Sequence, residues 1–383
     1  MGVAEDARAA QDRVIRRSDK AANAALRLWR RVDGADLDGS WGSLGPQVEA
    51  VAAATVRANA VSAASLTAKV ARADGLSGDV LVPDAFAGVD GSGRDLGSAL
   101  RGSVITTKQA IKAGMSLPDA LMAGGTYLSL MVKTVLADVD RSAAMAAAAG
   151  KGYARYVRMV NPGACSRCAI LAGSDQFRSN FKRHPACRCS TIPVPDDAPT
   201  PAGLFDNPDD YFASLSPAEQ ERVFTKAGAE AIRLGADPIK VVNARRGANR
   251  GRMDGVITYT PSRIQRSVIG RNPDGSPVLG YVTTEGRTRR GSFGRTQERL
   301  GGVAQKSTGR YATVQRVRLM PESIVDLTDD VELRRVLLRD AGYTRPVIRD
   351  QSSNAWIREM QAQQEADRRV ADAFYRSLGI KTS

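Results

Sequence analysis

Histidine is almost missing from this chain: one residue, His184, in 383. Any Ser-His or Cys-His nucleophilic pair would therefore have to use His184 itself. Long apolar runs are missing too. A membrane helix needs about eighteen uncharged apolar residues, and the nearest stretch, Leu121 to Val132, is interrupted by Gly, Thr and Ser and closed by Lys133. No bilayer span is expected. The opening MGVAEDARAAQDRVIRR mixes acids and bases with no apolar h-region, so the expectation is synthesis in a reducing cytoplasm without secretion. Aromatic residues are only 5%, which favours slender Ala-rich helices over a thick aromatic core. Lysine supplies 11 of the 55 basic residues and Arg the other 44, a skew that fits a GC-rich coding sequence better than a binding chemistry. A Gly-rich phosphate loop followed by Lys and Ser/Thr is absent, and no carboxylate pair stands out, so nucleotide hydrolysis has no support.

What is present reads as a mostly helical protein. From Ala4 to Val32, Ile15, Ala22, Leu26 and Trp29 form one amphipathic stripe. Gly34, Gly39, Gly42 and Gly45 are expected to break it before a second Ala-rich helix from Pro46 to Arg72. Residues 75 to 97, with Pro83 and several Gly, read as a loose connection. Ser116 then caps a strong helix with Pro118 and Asp119 in its first turn. Leu121, Leu128, Val132, Val135 and Val139 continue it towards Gly150 as a core stripe. VPDDAPTPAGLFDNPDD has four Pro in 17 residues and reads as a linker, with a boundary near residue 200. A capping box at Ser216-Pro217-Ala218-Glu219 opens a helix carried on by Val223, Ala227, Glu230 and Leu234. Hairpins are expected around Asn272-Pro273-Asp274-Gly275, with β-prone pieces at Val256 to Tyr259 and Val278 to Thr284. Helix resumes from a Thr328 cap to Ala341, and again from Ala355 to Leu378.

The expected fold class is thus α+β and predominantly helical. It comprises Ala-rich N-terminal helices (1–75), a small α/β core stapled by Cys and His (76–195), a linker and capped helix (196–243), a basic Gly-rich region with hairpins (244–318) and C-terminal helices (319–383).

Every Cys and the only His fall inside 25 residues: Cys165, Cys168, His184, Cys187 and Cys189. A C-x2-C turn lets two thiolates meet one tetrahedral ion, and an extended Cys187–Cys189 piece puts both sulfurs on one face. Pro185 keeps His184 out of a helix and within reach. Zinc is the natural candidate, held by the four Cys or by three Cys and His184. Closure of the tetrahedron by protein ligands makes it structural. Two disulfides, or reduced thiols in a hydrogen-bonded knot, are the alternatives, and the reducing compartment disfavours the former. Catalytic zinc needs an open position and a nearby acid or base. Between Cys165 and Cys189 there is no Glu, Asp175 is the only carboxylate, and the deaminase order of motifs is absent.

The C-x2-C pair at Cys165 and Cys168, followed by His184-Pro185-Ala186-Cys187-Arg188-Cys189 and a short strand, resembles the phage Mu protein F-like minor head (head morphogenesis) proteins. YVRMVNPGACSRCAILAG, FKRHPACRC and FTKAGAEAIRLGADPIKVVNARRG are similar to the form carried by phages of actinobacteria. The resemblance covers about residues 90 to 195, with a downstream part over 208 to 247. It implies a non-enzymatic virion component at the portal vertex or capsid interior of a tailed dsDNA phage. Such a protein assists head assembly or DNA packaging and ejection. The implied partners are the portal protein, the major capsid or scaffolding protein, and packaged dsDNA. The competing class is a head maturation protease or a metal-dependent nucleic-acid enzyme. No matching catalytic signature accompanies it.

The charge fits a nucleic-acid partner. Of the net +14, residues 244 to 318 carry +12, from 16 basic residues and four acids. Arg245, Arg246, Arg250, Arg252, Arg287, Arg289 and Arg290 are the candidate phosphate contacts, binding without reading sequence. A solvated face, or contact with an acidic portal or scaffold surface, explains the same charge. Tyr259, Tyr281, Phe293 and Tyr311 are too sparse to favour stacking on single strands.

Overall fold

A computed structural model describes residues 2–160, 164–177, 183–205, 207–246, 266–301, 312–345 and 354–380. The chain is a predominantly helical α+β protein that divides into two compact units. Unit one is Met1–Ala164 with Leu171–Asp210, and unit two is Cys165–Ile170 with Tyr211–Ser383.

Unit one is built on four long helices: α1 (Val3–Trp29), α2 (Leu37–Ala73), α3 (Leu96–Lys112) and α4 (Leu117–Ala149). Helix α4 packs against the other three. Its buried stripe of Leu128, Val132, Val135, Leu136 and Val139 meets Trp29 and Ala25 of α1, Val48 and Val56 of α2, and Leu100 and Val104 of α3. Buried Ala at positions 7, 10, 21, 22 and 25 of α1 and 143, 144, 147 and 148 of α4 thins these contacts and favours helix at the same time. Helix α4 is also long and apolar enough to cross a membrane by length and composition alone.

Two expectations need correction here. The glycines at 39, 42 and 45 do not end a helix, because α2 begins at Leu37 and runs through Pro46. Asp36 caps its start by accepting from the Gly39 N–H at 2.9 Å, and Leu37, Trp41, Leu44 and Val48 bury their side chains in the core. Gly45 leaves room for the Trp41 indole, which a Cβ would strike. Burial outweighs the propensity cost of Gly. The stretch read as a loose connection over 75 to 97 ends two residues earlier, where α3 starts at an Asp95 cap that accepts from the Ser98 N–H at 2.7 Å. Only Pro83–Phe86 of the preceding segment forms a short 3-10 turn.

After α4 the chain enters a three-stranded antiparallel sheet of order β2–β1–β3, with β1 at Arg155–Met159, β2 at Asp175–Phe177 and β3 at Ser190–Val194. In the β1–β3 register Arg155 faces Val194 and Met159 faces Ser190. A one-turn helix, α5 (Ser166–Ala169), lies between β1 and β2. The Pro-rich stretch is strapped to unit one: Arg155 Nη1 donates to the carbonyls of Pro195 at 3.3 Å and Ala198 at 2.5 Å. Helix α6 (Pro208–Ala213) then spans the division.

Unit two opens with α7 (Pro217–Phe224), which carries the expected Ser216/Glu219 capping box. The expected single helix is in fact two. Thr225 adopts φ +70°, ends α7 and caps α8 (Lys226–Arg233) by accepting from the Gly228 N–H. Helix α9 (Pro238–Ala244) follows, then the β4 (Ser267–Arg271) and β5 (Pro277–Gly280) hairpin, closed by the expected turn at 272–275. Of the two β-prone pieces, Val256–Tyr259 lies outside the described residues, and the second is strand only to Gly280. Helices α10 (Ser292–Arg299), α11 (Pro321–Leu327), α12 (Val331–Asp340) and α13 (Asn354–Ser377) complete the unit. Asp330 rather than Thr328 caps α12, its carboxylate accepting from the N–H groups of Glu332 and Leu333.

Candidate metal centre

The five sulfur and nitrogen ligands come together. The ligand atoms of Cys165, Cys168 and His184 lie within 4.8 Å of one another, and so do those of Cys168, Cys187 and Cys189. Cys168 belongs to both groups. Metal–sulfur bonds of about 2.3 Å in a tetrahedron separate two sulfurs by roughly 3.8 Å, so these clusters are of the size that one ion draws together. No disulfide joins the four cysteines. Cys168, Cys187 and Cys189 are buried, and Cys165 is exposed at the edge.

Local backbone structure explains the convergence. Cys165 stands at the N-cap of α5, its carbonyl accepting from the N–H groups of Cys168 at 2.9 Å and Ala169 at 3.0 Å, which turns the two thiols to one side. On the other piece the chain reverses at His184–Cys187, where the Cys187 N–H donates to the His184 carbonyl at 3.2 Å and Ala186 takes φ +53°. Cys187 and Cys189 then alternate on the way into β3. The His184 Nδ1 lies 2.8 Å from the Pro185 carbonyl. A proton on Nδ1 donated to that oxygen leaves the Nε2 lone pair as the ligand.

The ligand loop is held by unit-one helices through residues that the sequence reading passed over. Arg141 of α4 is buried, and its Nη1 donates to the carbonyls of Cys187 at 3.2 Å and Cys189 at 2.9 Å. Asp138, one turn earlier and also buried, accepts from Arg141 and from Arg183 Nε at 2.5 Å. Thr134 Oγ1 accepts from the Ala186 N–H at 2.8 Å, and Gln11 of α1 donates to the Arg188 carbonyl. Burial pushes the neighbouring Asp140 carboxyl up to about 6, against the lowering effect of Arg141, a Ser190 hydrogen bond and Arg17. The signal for this support was the run Asp138-Val139-Asp140-Arg141, three charges inside a helix whose neighbouring turns are apolar.

No known protein family, curated protein or solved structure matches the chain.

The donor set suits a thiophilic metal ion: three buried thiols form one group, and Cys165 and His184 form a second with the shared Cys168.

The candidate phosphate-binding arginines do not form one set. Arg245 pairs with Glu322 at 2.5 Å, Arg287 donates to the carbonyls of Val314 at 2.7 Å and Gln315 at 3.1 Å, and Arg289 pairs with Glu298 at 2.7 Å. Arg246 and Arg290 are exposed, and Arg250 and Arg252 lie outside the described residues. Further along, Arg316 is buried between Asp340 at 2.8 Å and Asp372 at 2.5 Å, and buried Arg318 stacks 4.4 Å from the Tyr343 ring centroid. Part of the basic excess of this region, Arg316 and Arg318 above all, is therefore internal framework.

Proposed function

We propose that this chain is a structural, non-enzymatic component of a phage head, of the Mu protein F-like minor capsid type. In this reading a zinc ion bound by Cys165, Cys168, Cys187 and Cys189, with His184 as the competing fourth ligand, locks the loop before β3 onto α4. The observation that carries it is the convergence of a C-x2-C turn and a His-Pro-x-Cys-x-Cys segment on one buried cluster braced by Arg141, the arrangement that the resemblance associates with these proteins. The burial of three of the ligands favours a structural over a catalytic ion. Docking at the portal vertex or capsid interior, and contact with packaged duplex through exposed arginines such as Arg246 and Arg290, follow from the same reading.

Quantitative mass spectrometry of purified empty procapsids and DNA-filled heads tests it. The expected result is a few copies of the full-length chain in both. Absence from filled heads, or presence only as fragments, would point instead to an assembly factor or a self-processing protease.

A further inference from the structure

Helix α4 is covered on three sides by α1, α2 and α3, yet one stripe of it is left over. Leu121, Met122, Gly125, Thr126, Ser129, Leu130 and Lys133 line a groove of about 700 Å³. Leu26, Trp29 and Arg30 of α1 form the opposite wall, and Ala186 and Arg188 of the ligand loop close one end. Met122 is 65% exposed, the most open large apolar side chain of this helix. The floor is rigid. Gly125 has no Cβ to hold Trp29 off, and the Trp29 indole N–H donates to the Leu121 carbonyl at 2.9 Å. From Leu121 to Lys133 the stripe runs about 18 Å along the axis, the length of a three-turn helix.

Charge and backbone chemistry narrow the occupant. The lining contains Arg30, Lys133 and Arg188 and no acid. Asp19 pairs with both Lys133 at 2.8 Å and Arg188 at 3.6 Å, one carboxylate against two cations, while Arg30 is exposed. Two helices make the long walls, and their backbone groups are already bonded within the helices. An extended strand would find no ladder to join, whereas side chains spaced every third or fourth residue would fit. An apolar floor with basic rims is the complement of a helix with an apolar stripe and acidic flanks.

We infer that this groove docks an acidic amphipathic helix of a partner protein. The inference rests on unit one alone and stands independently of the virion reading. The test uses the full-length, metal-replete chain and two fluorescein-labelled helical peptides with Leu at every third or fourth position, one flanked by Glu and one by Lys. Binding is followed by fluorescence anisotropy. The Glu peptide is expected to bind about tenfold or more tightly than the Lys peptide, with the difference shrinking as salt rises. Met122→Glu should abolish binding and Arg30→Glu should remove the preference between the two peptides. Both positions are exposed, and an unchanged thermal melt would show that the variants fold. Equal binding of the two peptides, or binding undiminished by Met122→Glu, would overturn the inference. So would failure of the Glu peptide to bind; sedimentation showing a dimer that Met122→Glu dissolves would then make the occupant a second copy of this chain.

Discussion

Cys168 is the residue on which the candidate metal centre turns, because it is common to both ligand groups. Cys168→Ser is expected to abolish bound metal, whereas Cys165→Ser or His184→Ala alone should only weaken it, since either leaves the Cys168, Cys187 and Cys189 group whole. Metal content per chain after gel filtration against a mild chelator checks this ranking, and equal retention in all three variants would refute it. Arg141 is the second decisive residue. Arg141→Met removes the Arg141 bonds to the Cys187 and Cys189 carbonyls and leaves the buried Asp138 carboxylate with Arg183 as its partner, and should cost about 1–3 kcal/mol, measured by urea unfolding. The double change with Asp138→Asn should recover part of that loss, because the buried carboxylate that has lost a cation is then neutral. The ligands were legible in the sequence because soft residues are rare here and their spacing is chemically constrained. Arg141 and Asp138 were not, because a charge in a helix reads as solvent-facing until the neighbours that bury it are known.

Among elements, the helices that could be read in advance were those with a strong local signal: the Ser116 cap with Pro118, the Ser216/Glu219 box and the apolar stripe of α4. The misread ones were decided by tertiary burial. Gly39, Gly42 and Gly45 read as breakers, yet they lie inside α2, where Gly45 makes room for the Trp41 indole. The same logic makes Gly124 a sensitive position, since a Cβ there would meet the Thr107 hydroxyl, the Trp29 ring and the Ser103 carbonyl. Gly124→Ala should destabilise unit one by about 1–3 kcal/mol despite the higher helix propensity of Ala, seen as a lower unfolding midpoint. The turn before α3 is pinned by Asp90, which accepts from the Ser92 N–H at 2.9 Å, the Ser92 hydroxyl at 2.6 Å, and the Arg94 N–H and Nε at 3.0 Å. Burial opposes ionisation there, but the bonds from Ser92 and Arg94 outweigh it and hold the Asp90 carboxyl below the usual carboxylate range. A depressed folded-state value means that the contribution is present above the ordinary carboxylate range and is lost as pH falls through the lowered one. The gap in thermal midpoint between the wild type and Asp90→Asn should therefore be open at neutral pH and close on acidification. A gap independent of pH would contradict the assignment.

For the whole molecule, net charge alone overstates the surface available to nucleic acid. Its largest concentration, residues 244 to 318, places Arg316 and Arg318 inside unit two, half-buries Arg245 and Arg287 on Glu322 and the Val314 carbonyl, and pairs Arg289 with Glu298 at the surface. Composition could not separate structural arginines from free ones, because an Arg within a fold and an Arg on a phosphate carry the same charge. If duplex contact uses the candidate positions Arg246 and Arg290, replacing both by Gln should lower the slope of log affinity against log salt by about 2. An unchanged slope would move the contact elsewhere. A structural ion at the Cys/His cluster is what would tie the loop before β3 to the helices of unit one. Zinc-edge X-ray absorption on the purified full-length chain, combined with metal stoichiometry, tests this most directly. The expected result is one zinc per chain with four sulfur or nitrogen ligands and sulfur at about 2.3 Å. Metal-free protein with four freely titrating thiols, or zinc carrying a water ligand, would contradict it.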